Sequence, residues 1–288
     1  MSIKRAMYEI ETSQGMAGLY HVTRLSSGPP VLFVHGFGSN ADIWFTYPDS
    51  LGNYLKKQGM DCWSLRLSNA TTGNISSLAN EDLYVAISFI HEKRNQEILV
   101  VTHSMGGIIA RVLTSPQFEH PFPLATLESN IRGIVLLTVP NHGAEIGDIR
   151  KLEDSAHQLR NYLKWERSSS PDFDLGFIQL TSKSTLLQNL NKPPMLNPNI
   201  IWLNAVGKYD HIVPSKSASF SPSEAAIPSF EQRGFDSDHM VYPFATTLQK
   251  IADKIGEIAT IFGSSFKLYP AIHRTKEVGE WIIEVFGK

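Results

Sequence analysis

The chain has 288 residues, of which 42% are hydrophobic and 19% are charged. This composition supplies enough apolar side chains for a large buried core and excludes an intrinsically disordered chain. The 26 Lys and Arg residues are balanced by 28 Asp and Glu residues, which leaves a formal net charge of −2. Because the basic residues cluster only as doublets such as Lys56-Lys57, we expect no nucleic-acid-binding or anionic membrane surface.

Cysteine usage and the N-terminus narrow the class of protein further. The single cysteine, Cys62, cannot form a disulfide within the chain, and no Cys/His spacing predicts a metal site. The first residues lack the apolar segment of a signal peptide. The longest apolar runs, near residues 98–101 and 134–139, are too short to span a membrane. We therefore expect a soluble, cytoplasmic protein with no metal, no cofactor and no integral membrane segment.

Apolar runs of strand length alternate with helical segments, which is typical of an α/β fold. A Gly-containing turn near Gln14-Gly15 predicts an antiparallel pair of strands at its start. In chain order, the first half is predicted to contain strands at 8–24, a buried parallel strand at 31–34, a helix at 49–57, a strand at 60–65, a helix at 78–92, a strand at 97–102, a helix ending near 113, a Pro-rich loop at 116–123 and a strand at 133–139.

The alternation of predicted strands and helices is interrupted at residues 141–198, which we interpret as an insertion. Apolar residues at spacings of three and four predict an amphipathic helix at 146–163, and a second helix is predicted at 185–190. The sheet resumes at 200–206, a long helix follows at 244–262, and a strand and a short helix are expected beyond 266. We therefore predict one α/β domain, 1–288, with a mostly parallel central sheet, helices on both faces and a helical cap at about 141–198.

The strongest chemical motif is Thr102-His103-Ser104-Met105-Gly106, where a strand runs into a helix. A serine on such a sharp turn presents its hydroxyl at the carboxyl edge of the sheet, and small neighbours let strand and helix approach closely. Thr102 stands where glycine is commonest in this GxSxG pattern. The amides at the start of the helix favour negative charge beside Ser104. The motif predicts Ser104 as a nucleophile.

These residues resemble the nucleophile turn of serine hydrolases of the α/β-hydrolase superfamily, and the chain is most similar to bacterial lipases and esterases. The resemblance covers roughly residues 31–262 and includes His35-Gly36, which shapes the oxyanion hole in that family. It implies that the backbone N–H groups of Phe37 and Met105 bind the oxyanion. Residues 139–143 are similar to the TPHxG stretch of lipases, but Val139 and Asn141 depart from it, and we expect no catalytic role there.

The family's chain order of nucleophile, acid and base implies the other two members of a triad. Residues 207–214 resemble its GxxDxxVP loop, which implies Asp210 as the acid. His239 precedes the predicted helix at 244–262, which implies it as the base. In such a triad the imidazole takes the serine proton, and the carboxylate orients the imidazole. The expected reaction is hydrolysis of a small-molecule or lipid ester through an acyl-serine intermediate.

Each assignment has a competing interpretation. Asp210 could be a turn residue that bonds its own backbone, and Asp236 and Asp238 are rival acids. His239 competes with nine other histidines. Among these, His273 lies beyond the last helix that the resemblance covers, and His35 and His103 are expected to shape the turns that contain them. Surface or helix positions without a motif are predicted for His21, His91, His120 and His157.

Two further features allow more than one interpretation. The segment 146–163 could be a mobile lid over an acyl pocket or a fixed cap. Trp44, Phe45 and Tyr47 follow the oxyanion loop and could line an acyl site or belong to the core.

Several functions remain compatible with these residues. The same triad serves ester hydrolysis, acyl transfer, thioester hydrolysis and amide hydrolysis, so no residue distinguishes them. A protein of another class, a non-catalytic binding protein with the same fold, is the remaining alternative, although such proteins tend to lose a triad member. Fold alone does not establish function, so the prediction of an esterase or lipase depends on the site.

Overall fold

A computed structural model of the chain describes residues 6–23, 26–143, 178–210, 212–238 and 271–287. The strands in these ranges form one eight-stranded sheet in the order β1-β2-β4-β3-β5-β6-β7-β8. The strands are β1 (Ala6–Thr12), β2 (Gly15–His21), β3 (Pro30–Val34), β4 (Asp61–Arg66), β5 (Ile98–His103), β6 (Ile131–Leu137), β7 (Trp202–Gly207) and β8 (Phe230–Phe235).

Most neighbouring strands in this sheet are parallel. β1 and β2 form an antiparallel hairpin, β2 pairs antiparallel with β4, and the remaining pairs are parallel. The central strands β3, β5 and β7 are buried along their whole length, as expected for parallel strands covered on both faces. The carboxyl ends of β3, β5, β6 and β7 therefore meet at one edge of the sheet.

Helices cover both faces of the sheet, and the described residues form two large apolar cores and one small apolar cluster. One core contains side chains of α3 and α4, and the other contains side chains of α1 and α8. The helices are α1 (Leu51–Lys57), α2 (Ile75–Ser77), α3 (Tyr84–Arg94), α4 (Met105–Thr114), α5 (Leu124–Asn130), α6 (Thr185–Leu190), α7 (Ser215–Ala218) and α8 (Lys276–Phe286). Within the described ranges, no helix is long and apolar enough to cross a membrane.

This architecture confirms the predicted fold class, a mostly parallel sheet with helices on both faces. The predicted helix at 185–190 is confirmed as α6. The predicted helices at 146–163 and 244–262 lie outside the described residues. The single domain at 1–288 and the cap at 141–198 therefore stay predictions.

Several elements were not expected from the sequence pattern, and two of them are the strand β8 and the helix α5. β8 is an edge strand whose residues are half-buried or exposed, so it contains charged side chains and a glycine instead of an apolar run. α5 is a short helix of seven residues that follows Pro123 directly. The sequence pattern of both elements predicts them only weakly. Packing against neighbouring elements stabilises them, and this packing is not visible in the sequence alone.

The helix predicted at 78–92 is present, but its first part is not α-helical. Residues Leu78–Leu83 form a π-helix that continues into α3. This wider segment packs against α4. It buries Asp82 completely, and the Asp82 carboxylate accepts hydrogen bonds from the N–H of Ser68, at 2.6 Å, and from its hydroxyl, at 3.0 Å. Burial outweighs these bonds and raises the pKa of Asp82 to about 6.

This raised pKa predicts a pH dependence of stability. A carboxyl group with a higher pKa in the folded chain than in the unfolded chain favours folding when protonated, so its contribution is lost as the pH rises through about 6. Between pH 4.5 and 7.5 the free energy of unfolding should fall by about 2 kcal/mol for this group. Asp82→Asn should remove that slope in urea unfolding measured across this pH range. Asp236→Asn, at an exposed carboxylate, should retain it; a slope unchanged by Asp82→Asn would contradict the assignment.

Candidate active site

Ser104 lies on a strained turn between β5 and α4. Its φ of 53° and ψ of −125° lie outside the usual regions for a residue with a side chain, which is the geometry of a nucleophile at a strand-to-helix turn. The turn is held because the N–H of Ser104 donates to the carbonyl of Leu137 at 3.0 Å and its carbonyl accepts from Gly107 at 2.9 Å. The strained serine is therefore fixed at the carboxyl edge of the sheet.

Two glycines allow the neighbouring segments to approach Ser104. A Cβ on Gly36 would stand 2.8 Å from the Cβ of Ser104, and a Cβ on Gly106 would stand 2.7 Å from the carbonyl oxygens of Val34 and His35. Real Cβ atoms do not tolerate such distances, so both positions require glycine. The loop after β3 and the start of α4 consequently meet beside the serine.

His35 supports this loop as a neutral imidazole. Its Nε2 accepts the N–H of Leu67 at 3.2 Å, so the ring proton is on Nδ1, which donates to the carbonyl of Gly36 at 2.9 Å. Burial lowers the pKa of His35 to about 4. The ring therefore stays uncharged at neutral pH and connects the loop to the end of β4. This agrees with a role in shaping the turn.

The predicted oxyanion donors occupy the two segments that meet at Ser104. Phe37 follows Gly36 and is half-buried against the core that contains α4. Met105 is buried and is the first residue of α4, so its N–H is among those at the helix start that no helical carbonyl satisfies. Both residues belong to segments that meet at Ser104, and their assignment as oxyanion donors stays a prediction.

Asp210 lies just beyond the carboxyl end of β7 and is buried. Its Oδ1 accepts the N–H groups of Ile212, at 2.8 Å, and Val213, at 2.7 Å. These bonds are those of a turn-forming aspartate, and they also fix the carboxylate at the sheet edge. In the sheet order, β6 alone separates β5 from β7, so the carboxyl ends of these two strands, which precede Ser104 and Asp210, are about 10 Å apart. Ser104 and Asp210 therefore lie at the same edge of the sheet.

Of the rival acids, Asp236 is exposed and pairs with Lys208 at 2.9 Å. It therefore points away from the buried edge that contains Asp210. Asp238 continues from β8 and forms a parallel bridge with Ala271.

The predicted base, His239, lies outside the described residues. A second histidine, His273, is placed close to the nucleophile turn. It is 1% exposed, and its ring centroid is 5.8 Å from that of His103, the residue before Ser104. It belongs to the 3-10 helix Ile272–Arg274 directly before α8, and the N–H of Ile272 donates to the carbonyl of Asp238 at 2.9 Å. This segment therefore reaches the sheet edge beside β8.

His273 could have been found from the sequence by choosing a different last helix. The base is expected in the loop before the final helix of the fold, and the pattern in residues 276–286 is amphipathic. Within the described ranges the final helix is α8, and His273 lies three residues before its start. The long predicted helix at 244–262 pointed to His239, and that assignment stays a prediction.

Two aromatic residues that follow the loop after β3 belong to the apolar core. Trp44 and Phe45 are buried in the core that contains α1 and α8, so they are core aromatics. Trp44 also contacts His273, with ring centroids 6.2 Å apart. Across the described residues, no three His, Cys, Asp or Glu side chains are grouped as ligands for a metal ion.

Similar solved structures define the class of fold. An esterase of Pyrococcus furiosus matches with a TM-score of 0.53 and 16% identity over 91% of this chain and 92% of its own. An esterase of Thermogutta terrifontis matches with a TM-score of 0.51 and 17% identity over 88% and 98%. Lipase B of Aspergillus fumigatus matches with a TM-score of 0.55 and 12% identity over 75% and 48%. The chain has the α/β-hydrolase fold, as the resemblance implied.

The sequence comparisons give the family. Residues 3–192 match the model of a family described as a domain of unknown function, DUF7379, and the chain belongs to this family. Triacylglycerol lipase 1 of Arabidopsis thaliana is 31% identical over an alignment of 136 residues, and the match covers 41% of this chain. The match spans 35% of the length of that lipase.

Proposed function

We propose that this chain is a serine hydrolase that cleaves carboxylic esters, with Ser104 as its nucleophile. The observation that carries the proposal is the strained Ser104 turn, which meets Gly36 and the start of α4 at the carboxyl edge of the sheet. The esterases and lipases with a similar fold, and the partial match to a triacylglycerol lipase, support the ester as the substrate class. The substrate is a small-molecule or lipid ester.

In the proposed mechanism, a histidine takes the proton of the Ser104 hydroxyl as the oxygen attacks the ester carbonyl. The N–H groups of Phe37 and Met105 stabilise the resulting oxyanion, and one such donor typically contributes about 3 to 4 kcal/mol. The histidine then returns the proton to the leaving alcohol, and water hydrolyses the acyl-serine by the reverse sequence of proton transfers. Asp210 orients the imidazole and stabilises its charged form.

Two histidines are candidates for the base. His239 is the one that the sequence resemblance implies. His273 is supported by its burial beside His103 and Trp44 and by its position directly before α8. Both follow Ser104 and Asp210 in the chain order of nucleophile, acid and base. We propose His273 as the base on these contacts; the surroundings of His239 lie outside the described residues.

Separate substitution of the two histidines tests this choice. His273→Gln should lower kcat/KM for p-nitrophenyl acetate by roughly 10³- to 10⁴-fold, because the serine loses its base. His239→Gln should retain activity within about tenfold. Thermal unfolding of both variants serves as the control for folding. The opposite pattern would return the role to His239, and full activity in both variants would contradict a histidine base at either position.

The function itself is tested with p-nitrophenyl esters of increasing acyl length and with a fluorophosphonate probe. The probe should label the wild-type chain at Ser104, and the series should show hydrolysis that EDTA does not reduce. Activity on short acyl chains alone indicates an esterase, and a preference for long chains indicates a lipase. Labelling of Ser104 without ester hydrolysis would favour an acyltransferase, thioesterase or amidase, and the absence of both would favour a binding protein.

A further inference from the structure

Thr138 is the residue at which the chain leaves β6, and its conformation is unfavourable. Its φ of +44° lies in the left-handed region, where a β-branched side chain crowds the backbone. The side chain is fully buried, and its hydroxyl oxygen has no hydrogen-bond partner among the residues that the structure describes. Backbone strain and an unpartnered buried hydroxyl both reduce stability, and strain of this kind is concentrated at functional sites.

The peptide bond before Thr138 connects the nucleophile turn with the strand that precedes the acid. Its carbonyl, on Leu137, accepts the N–H of Ser104 at 3.0 Å. Its N–H, on Thr138, donates to the carbonyl of Ala205 in β7 at 2.9 Å. Because a peptide unit is planar and rigid, a change of backbone direction at Thr138 would shift Ser104 relative to β7.

The side chain of Thr138 faces the loop that contains Asp210. Its methyl carbon Cγ2 lies 3.1 Å from the point where a Cβ on Gly207 would stand. The same point lies 3.4 Å from the Cβ of Asp210 and 3.0 Å from the carbonyl oxygen of Ser237. The methyl group of Thr138 therefore packs at the end of β7, where the acid loop begins.

We propose that Thr138 is a positioning residue: its strained backbone and its methyl group hold the Asp210 loop at the distance from Ser104 that the base must bridge. The inference rests on the proposed function and deepens it. Glycine would adopt the same φ without strain, but it would leave the acid loop without this contact. A role of the side chain in setting the geometry of the site would explain why a threonine occupies this strained position.

Two substitutions at Thr138 distinguish the effect of the hydroxyl from the effects of the methyl group and the strained backbone. Thr138→Val keeps the branched shape and removes only the unpartnered hydroxyl, so kcat should stay within about threefold of wild type and Tm should not fall. Thr138→Gly relaxes the backbone and removes the methyl group, so kcat for p-nitrophenyl acetate should fall by roughly 10- to 100-fold with KM within about threefold. Thr138→Ala, which also lacks the methyl group, replaces the glycine variant if that variant does not fold.

The pH profile provides a readout that a purely structural role would not change. A displaced Asp210 stabilises the imidazolium less, so the acid limb of kcat/KM against pH should move to lower pH in Thr138→Gly, by roughly half to one pH unit. Thr138→Val should show the same acid limb of kcat/KM against pH as the wild type. An unchanged kcat and pH profile in Thr138→Gly would overturn the inference.

The remaining outcomes are equally decisive. A loss in Thr138→Val as large as that in Thr138→Gly would assign the effect to the hydroxyl and overturn the steric role. Wild type and Ser104→Ala are assayed beside these variants. Wild-type turnover that does not depend on Ser104 would overturn the proposed function, and the inference with it, whereas Ser104-dependent turnover with an unaffected Thr138→Gly would overturn the inference alone.

Discussion

Ser104→Ala should lower kcat/KM for ester hydrolysis by roughly 10⁴- to 10⁶-fold, because the attacking oxygen is removed and only the oxyanion donors and substrate binding remain. Folding should be preserved. Alanine experiences the same strain at φ 53° as serine, and the backbone bonds that fix the turn, to Leu137 and from Gly107, do not involve the side chain. The free energy of unfolding should therefore change by less than about 1 kcal/mol.

This prediction is checked by steady-state kinetics, fluorophosphonate labelling and urea unfolding on the same preparations. Ser129→Ala is a suitable control, because Ser129 is exposed on α5 and bonds only to the carbonyl of Thr126 among the described contacts. The control should retain full activity and labelling. Undiminished turnover in Ser104→Ala would exclude Ser104 as the nucleophile, and loss of activity together with unfolding would leave Ser104→Cys as the variant that tests the chemistry.

The second large effect is expected for stability, at Arg111 on α4, the helix that follows Ser104. Arg111 is 1% exposed, and its guanidinium donates to the carbonyl and side-chain oxygens of Asn141, at 3.3 and 3.2 Å. It also donates to the side chain of Asn191 at 2.9 Å and to the carbonyls of Leu190, at 3.4 Å, and Met195, at 3.3 Å. These partners lie near the two ends of the predicted insertion, so one side chain ties both ends to α4.

Arg111→Met should lower the free energy of unfolding by about 3 to 4 kcal/mol, because methionine fills the space but leaves buried carbonyls without donors. Burial lowers the pKa of Arg111 to about 9, so the native side chain is still charged at neutral pH. Arg111→Lys should also destabilise the chain, since an ammonium group cannot form the same fork of bonds.

The matched control is Arg233→Met. Arg233 is partly exposed and pairs with Glu231 and Glu284, so its loss should change stability by no more than about 1 kcal/mol. Urea unfolding of the three variants at pH 7 measures these differences. Equal stability of Arg111→Met and the wild type would contradict an anchoring role for Arg111.

The sequence predicted most of the elements that position the site, because their signals are local. The apolar runs of β3 and β5 are buried on both faces, and a residue's neighbours in the chain suffice to recognise them. The strand-to-helix turn at Ser104 is equally local. β8 was missed because an edge strand keeps polar side chains. The first part of the helix at 78–92 was predicted as α-helix because a π-helix of six residues is too short to change the apolar spacing recognisably.

The residues around the nucleophile were only partly predictable. His35-Gly36 and Asp210 lie in short motifs that can be recognised from the sequence, and the structure places both at the carboxyl edge of the sheet. His273 follows Ser104 by more than a hundred and sixty residues, and no motif marked it. Its closeness to His103 depends on how α8 packs beside α1. This packing cannot be predicted from the sequence alone.

The sequence by itself determined the α/β class and the strand-to-helix turn at Ser104, and its resemblance to the serine hydrolases predicted the order of nucleophile, acid and base. These features depend on residue types and their order along the chain, which can be read without knowing which segments meet in space. Only the tertiary structure decided the contacts made over long sequence distances: Arg111 with the two ends of the predicted insertion, Thr138 with Gly207, and His273 with His103. Such contacts arise because strands far apart in the chain end at the same sheet edge, and close packing there selects which side chains meet.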